Sequence, residues 1–125
     1  MSAPLPEKYN SEDIRRHIDT VAMRQQLLNQ IIKDLKLTDF DIEVSASDFF
    51  FKIKEILVER LSYLIDFQSS SLAQIIYQVD LNEAKIKHAL HTHQANSTQI
   101  LADEILKREM QKVFYRNVYN GTIKL

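Results

Sequence analysis

The chain has 125 residues, 45% apolar and 26% charged, a balance typical of globular proteins that fits neither a disordered chain nor a membrane-embedded one. Its formal charge of −1 is too near neutral to single out nucleic acid or an anionic membrane as a partner. The lack of cysteine excludes disulfides, thiolate nucleophiles, iron–sulfur clusters and Cys-bound zinc, and a single glycine, Gly121, excludes the glycine-rich phosphate loops of Walker and Rossmann chemistry.

Both prolines, Pro4 and Pro6, and the glycine lie outside residues 7–120, so more than a hundred consecutive residues contain neither a helix breaker nor a permissive turn residue. Helices must dominate. The expected organisation is one all-α domain: a flexible segment over 1–10, a bundle of four to five helices over 11–120, and a tail at 121–125. Residues 1–10 lack the charged and apolar blocks of a signal peptide, and no apolar run reaches the ~20 residues that span a bilayer, so a cytoplasmic address is expected.

The first helix is expected from Asn10 or Ser11 to about Leu37, with Glu12 and Asp13 in its positive first turn. Its apolar stripe is Ile14, Ile18, Val21, Leu28, Ile31/Ile32 and Leu35. Over residues 39–45 the period changes: Phe40, Ile42 and Val44 alternate with Asp39, Asp41, Glu43 and Ser45, which is strand patterning. A lone strand needs a ladder partner. It would pair with a second copy, pair with residues 122–125, or serve as an extended connector, the reading favoured here.

The second helix should run from Ser45 or Ser47 to about Phe67 on Phe50, Ile53, Leu57, Leu61 and Leu64. Phe49, Ile56 and Ile65 widen that stripe, which predicts a central helix packed on more than one side. After the serines at 69–71, a third helix covers 71–79. Asp80 and Glu83 have capping-box spacing and would open a fourth over 81–92. Asn96 and Gln99 repeat the device ahead of a fifth over 97–119, with Leu101, Ile105, Leu106, Met110, Val113 and Phe114 inward. Asn120-Gly121 is either a hairpin turn or the end of that helix with Gly121 left-handed.

Charge is unevenly spread. Residues 1–106 carry 11 Lys/Arg against 16 Asp/Glu, whereas 107–125 carry five basic residues against Glu109 alone. The helix dipole accounts for cations collecting at a C-terminal end.

The segments Ile31–Leu35, Phe40–Val44, Leu72–Glu83 and Ile100–Lys112 together resemble a set of small, uncharacterised, all-helical bacterial proteins. The resemblance implies a cytoplasmic bacterial protein with no assigned activity, and it transfers no catalytic or ligand residue.

Three chemistries have candidate residues. His88 and His91, three apart on one helical face, could chelate a transition metal, with His93 joining if the helix ends near residue 91; a solvated helix end is the plainer reading. Di-iron bundles need Glu-x-x-His pairs, and the chain has none. Glu55 and Glu59 share a face and would do acid–base work only if burial raised one pKa. Residues 72–90 have helix-turn-helix length and would offer Lys85, Lys87 and His88 to DNA, but the turn lacks glycine and the surrounding domain is acidic. Tyr115 and Tyr119 beside Lys112 and Arg116 could stack on single-stranded bases.

The apolar supply is generous for a small bundle, so some of Phe49, Phe51, Phe114, Tyr115, Val118 and Tyr119 are expected to bury in a homodimer. The resulting expectation is a non-enzymatic helical interaction or structural module that self-associates, without a cofactor. The alternatives are metal or small-ligand binding through His88/His91 and weak DNA binding through the 72–90 corner.

Overall fold

The structure, a computed structural model, describes residues 9–38, 41–92 and 96–125, with backbone alone for Ser69, Lys85, Ala89, Leu90 and Thr92. Its elements in chain order are α1 (Ser11–His17), α2 (Val21–Leu35), α3 (Phe49–Phe67), α4 (Ser69–Val79), α5 (Glu83–Thr92) and α6 (Ser97–Tyr119). The all-α expectation holds, with six helices rather than four or five and no strand among the described residues. Of the expected flexible segment, residues 1–8 lie outside the described residues. No described helix is long and apolar enough to cross a membrane.

The helix expected over 11–37 is two helices. Asn10 caps α1 by accepting from the Asp13 amide at 2.8 Å, and Glu12 and Asp13 complement the dipole as anticipated. The break comes at Thr20, whose backbone is extended (φ −129, ψ 158) and whose hydroxyl accepts from the Met23 amide at 3.2 Å. A side chain that can cap offers the backbone an alternative to continuing the helix, and here the alternative wins. The bend turns Ile14 and Ile18 into the core. The α1–α6 contact is completed by Phe114, whose ring meets those of Tyr9 and His17, each at 5.4 Å.

Residues 41–48 form the connector rather than a strand. Ile42 and Val44 pack on the core while Asp41, Glu43 and Ser45 face solvent, so the alternation is real but has no ladder. Phe40 and Asp39 lie outside the described residues. Arg24 pins the connector, donating to the carbonyls of Val44 at 2.7 Å and Ala46 at 2.8 Å, with its guanidinium 4.8 Å from the Phe49 ring centroid.

Gln68 alone separates α3 from α4. At the next corner Asp80 is not the N-cap of α5 that its spacing with Glu83 predicts. It ends α4 in the left-handed conformation (φ 67), and its carboxylate and carbonyl both go to Arg108 of α6, at 3.2 and 3.3 Å. α5 starts only at Glu83, so Asp80 stands three residues ahead of it and pairs with another helix instead. Asn96 likewise makes no side-chain capping bond. Gly121 (φ 82) ends α6 as the second of its two readings, and Ile123 folds back to bond the Asn117 carbonyl at 2.8 Å.

The central helix is α6, not α3: α6 packs against each of the other five. Its buried residues, among them Leu101, Ile105, Val113 and Phe114, cover most of its circumference. Of the residues that widen the α3 stripe, Phe49 is fully buried and Ile56 half-buried, while Ile65 reaches solvent. Burial of each large core side chain contributes roughly 1.5–3 kcal/mol, which here includes Phe49, Leu57 and Leu61 of α3.

Candidate functional site

The residues nominated from sequence scatter. His88 and His91 are exposed on α5, His93 is outside the described residues, and among the described residues no three His, Cys, Asp or Glu side chains converge as a metal site would require. Glu55 and Glu59 are both exposed on α3. At the α4–α5 corner Lys87 and His88 are exposed, and the Lys85 side chain is outside the described residues. Phe49 and Phe114 are fully buried within the chain and Tyr115 nearly so, because the bundle itself consumes them; they have no surface to offer a partner. Of the six interface candidates, Val118 is half-buried, while Phe51 and Tyr119 are 63% and 71% exposed.

Two features do organise side chains. The first is the outer face of α3, where Phe51, Val58 and Ile65 stand seven residues apart and therefore fall within about 40° of one another around the helix. Phe51 is largely exposed, Ile65 is 39% exposed, and Val58 between them is half-buried. Farther round the helix, Tyr63 and Phe67 meet ring to ring at 5.2 Å and also face solvent.

The second is a polar seam between α2 and α6. Gln26, Gln30 and Asp34, each four residues on from the last, form a row along α2 and meet α6 side chains in reverse order. Asn117 donates to Gln26 at 2.8 Å, Arg116 to Gln30, and the Lys112 ammonium to Asp34 at 2.7 Å. Gln30 also donates to Asp34 at 3.0 Å. The basic end of the chain is thus spent on lateral partners: Lys112 and Arg116 on α2, Arg108 on Asp80, Lys107 on Glu104.

Glu109 lies beneath this seam with 0% of its surface exposed, 3.2 Å from the Lys112 ammonium, and neither carboxyl oxygen accepts a hydrogen bond. Burial pushes its pKa up to about 8, aided by the neighbouring Asp34 and opposed by the charge of Lys112. Asp34 moves the other way. Burial would raise its pKa, but bonding from Lys112, Gln30 and Glu109 outweighs that and holds the group below its ordinary value. A carboxyl with its pKa raised to about 8 is mostly protonated at neutral pH, which leaves Asp34 and Lys112 as the balanced charge pair.

Beside the seam, a cleft of about 100 Å³ opens between α2, α3 and α4, bordered by Asp34, Arg60, Leu64, Ser71, Gln74 and Gln78 among others. The Arg60 Nε–H is buried with no hydrogen-bond partner, and the guanidinium carbon lies 5.7 Å from the Tyr63 ring centroid. A larger groove of about 410 Å³ between α1 and α6 is lined by Arg15, Arg16 and Lys107 against Glu12, Asp19 and Asp103, three charges of each sign, and so favours neither.

Sequence reading missed the seam, although its signal is present. Ile105, Glu109, Val113 and Asn117 are four apart, so Glu109 occupies a core position in the inward row of α6; Asp34 likewise follows Leu27 by seven and Ile31 by three on the inward face of α2. No family model, curated protein or solved structure matches the chain.

Proposed function

We propose that the chain is a non-catalytic helical interaction module that self-associates through the outer face of α3. The observation that carries this reading is the row Phe51, Val58, Ile65, an apolar seam exposed at Phe51 and Ile65 and half-buried at Val58, which its own bundle leaves partly uncovered. Such a row, repeated every seven residues, suits a second helix laid alongside it. A two-fold dimer supplies one with no other component, since the same patch meets itself. The interior of the bundle is committed to packing and to the polar seam, which supports a role exercised at the surface.

Light scattering tests it. A dimer has a mass of about 29 kDa, twice 14.7 kDa. The Phe51→Glu, Ile65→Glu double variant should return 14.7 kDa with an unchanged helical spectrum. A wild-type chain that stays at the monomer mass at high micromolar concentration overturns the proposal.

A further inference from the structure

The ammonium of Lys112 joins three helices. It lies 2.7 Å from Asp34 of α2 and 3.2 Å from Glu109, one turn back on α6, and it donates at 3.3 Å to the Gln78 carbonyl in the last turn of α4. Its bond to Asp34 is short and charge-assisted, whereas the one to Gln78 is long and made to a neutral acceptor. The Glu109 carboxyl accepts no hydrogen bond at either oxygen, although the ammonium stands beside it. The end of α4 has a second tie to α6, from Arg108 to the carboxylate and carbonyl of Asp80.

Glu109 is sealed from water, so its neighbours decide its charge. Of the elements packed on α6, α2 presents Asp34, and α4 carries no charged residue, its one titratable group being the exposed Tyr77. The half-buried charged side chains of α3 are Lys54, which pairs with Asp103 at 3.0 Å, and Arg60, which lies by the Tyr63 ring. The described ones of α1 and α5 are exposed, save the half-buried Asp13 that pairs with Arg16. One ammonium therefore serves two carboxyls, an arrangement that is neutral while the pair shares a proton and negative without it. Burial keeps that proton on Glu109 up to about pH 8. Once it leaves, a bare carboxylate out of water draws the ammonium towards itself. The Gln78 bond, at 3.3 Å already past the ordinary range of ~2.7–3.2 Å, is the one that gives way, and because Gln78 is exposed, water can replace the lost donor.

We propose that Lys112 is a proton-controlled latch: with Glu109 neutral it ties the last turn of α4 to α2 and α6, and when Glu109 ionises it turns to that carboxylate and releases the Gln78 carbonyl, leaving Arg108 and Asp80 to hold the α4–α5 corner. Asp34 and Gln78, the two residues it joins, both border the cleft between α2, α3 and α4, so the width of that cleft follows the latch. The device is independent of the α3 face and of any dimer.

The test is an NMR titration of the ¹³C,¹⁵N-labelled full chain from about pH 6 to about pH 9, a window that lies above the ordinary carboxylate range and below that of lysine. Two signals are read: the Glu109 side-chain carboxyl, and the backbone amide nitrogen of Val79, which belongs to the same peptide group as the Gln78 carbonyl. Both report on the folded molecule and so do not depend on its global stability. They should move together with one midpoint at about 8. In Glu109→Gln the Val79 signal should stay still over the same window. If that variant loses its dispersed spectrum, Lys112→Met takes its place, and its Val79 signal should be equally still because the latch is gone. A Val79 signal that stays fixed in wild type while Glu109 titrates, one that moves in either variant as it does in wild type, or a Glu109 carboxyl already ionised at the acid end of the window overturns the proposal.

Discussion

Raising the pH should weaken this fold through one side chain. Glu109 titrates at about 8 in the folded chain against an ordinary 4.5, because burial disfavours its charged form. An acid whose pKa is higher folded than unfolded contributes stability fully below the unfolded value and loses it as the pH climbs to the folded one. Between those two values the folded chain holds one more proton than the unfolded chain, which is a slope of about −1.4 kcal/mol per pH unit and a total of roughly 5 kcal/mol for a site that stays dry. Asp34, held below its ordinary 3.8, works in the opposite sense: its contribution is present above that value and lost as the pH falls. Urea unfolding midpoints from about pH 5 to about pH 9 measure the Glu109 limb, well above the range in which Asp34 titrates. Glu109→Gln keeps the shape of the neutral side chain but has no proton to lose. The variant should therefore show a flatter profile and be more stable than wild type by a few kcal/mol at about pH 8. Parallel profiles for the two proteins would refute the reasoning, since they would mean that Glu109 is already ionised in the fold and matched by Lys112.

Two further changes probe the same fold from different sides. Lys112→Met removes the cation standing between Asp34 and Glu109 and should cost about 3–5 kcal/mol in urea unfolding at neutral pH, the penalty of stranding a buried charge; a loss under about 1 kcal/mol, the worth of a surface pair, would show the seam to be solvated. Gly121→Ala places a Cβ in open space, with no atom within 4 Å, so its cost is the backbone strain of φ 82 alone. That cost should be about 1 kcal/mol, a fall of a few degrees in Tm.

The parts of the fold set by local chemistry were legible in the sequence. The lack of Pro and Gly over 7–120 predicts helices throughout, the Asn10 start with Glu12 and Asp13 is where α1 begins, and α6 spans the 97–119 expected of it. The parts decided by competition between local and distant partners were not. Thr20 interrupts an apolar stripe that would otherwise continue, and nothing in the spacing of Ile18 and Val21 reveals that its hydroxyl wins. Asp80 has the spacing of a cap, but Arg108 lies 28 residues away in sequence and beside it in space. The polar seam is hard to read because charged and amide side chains point to solvent by type, although Glu109 sits on the inward row between Ile105 and Val113. Arg60 gave no signal at all: the burial of its Nε–H is a property of what surrounds it in three dimensions.

That α6 touches each of the other five helices has a consequence for how the protein comes into being. As the ribosome makes it, this helix emerges after the rest, and until then the α4 contacts with α2 and α3 are the main interhelical packing available. Nascent α1, α2 and α3 must wait with their greasy sides uncovered, a period in which chaperones or aggregation compete for them. Assembly cannot proceed piecemeal from the leading end. It is deferred and then happens in one concerted closure, so a lesion in α6 should act on the yield of folded protein as much as on the stability of the molecules that do fold.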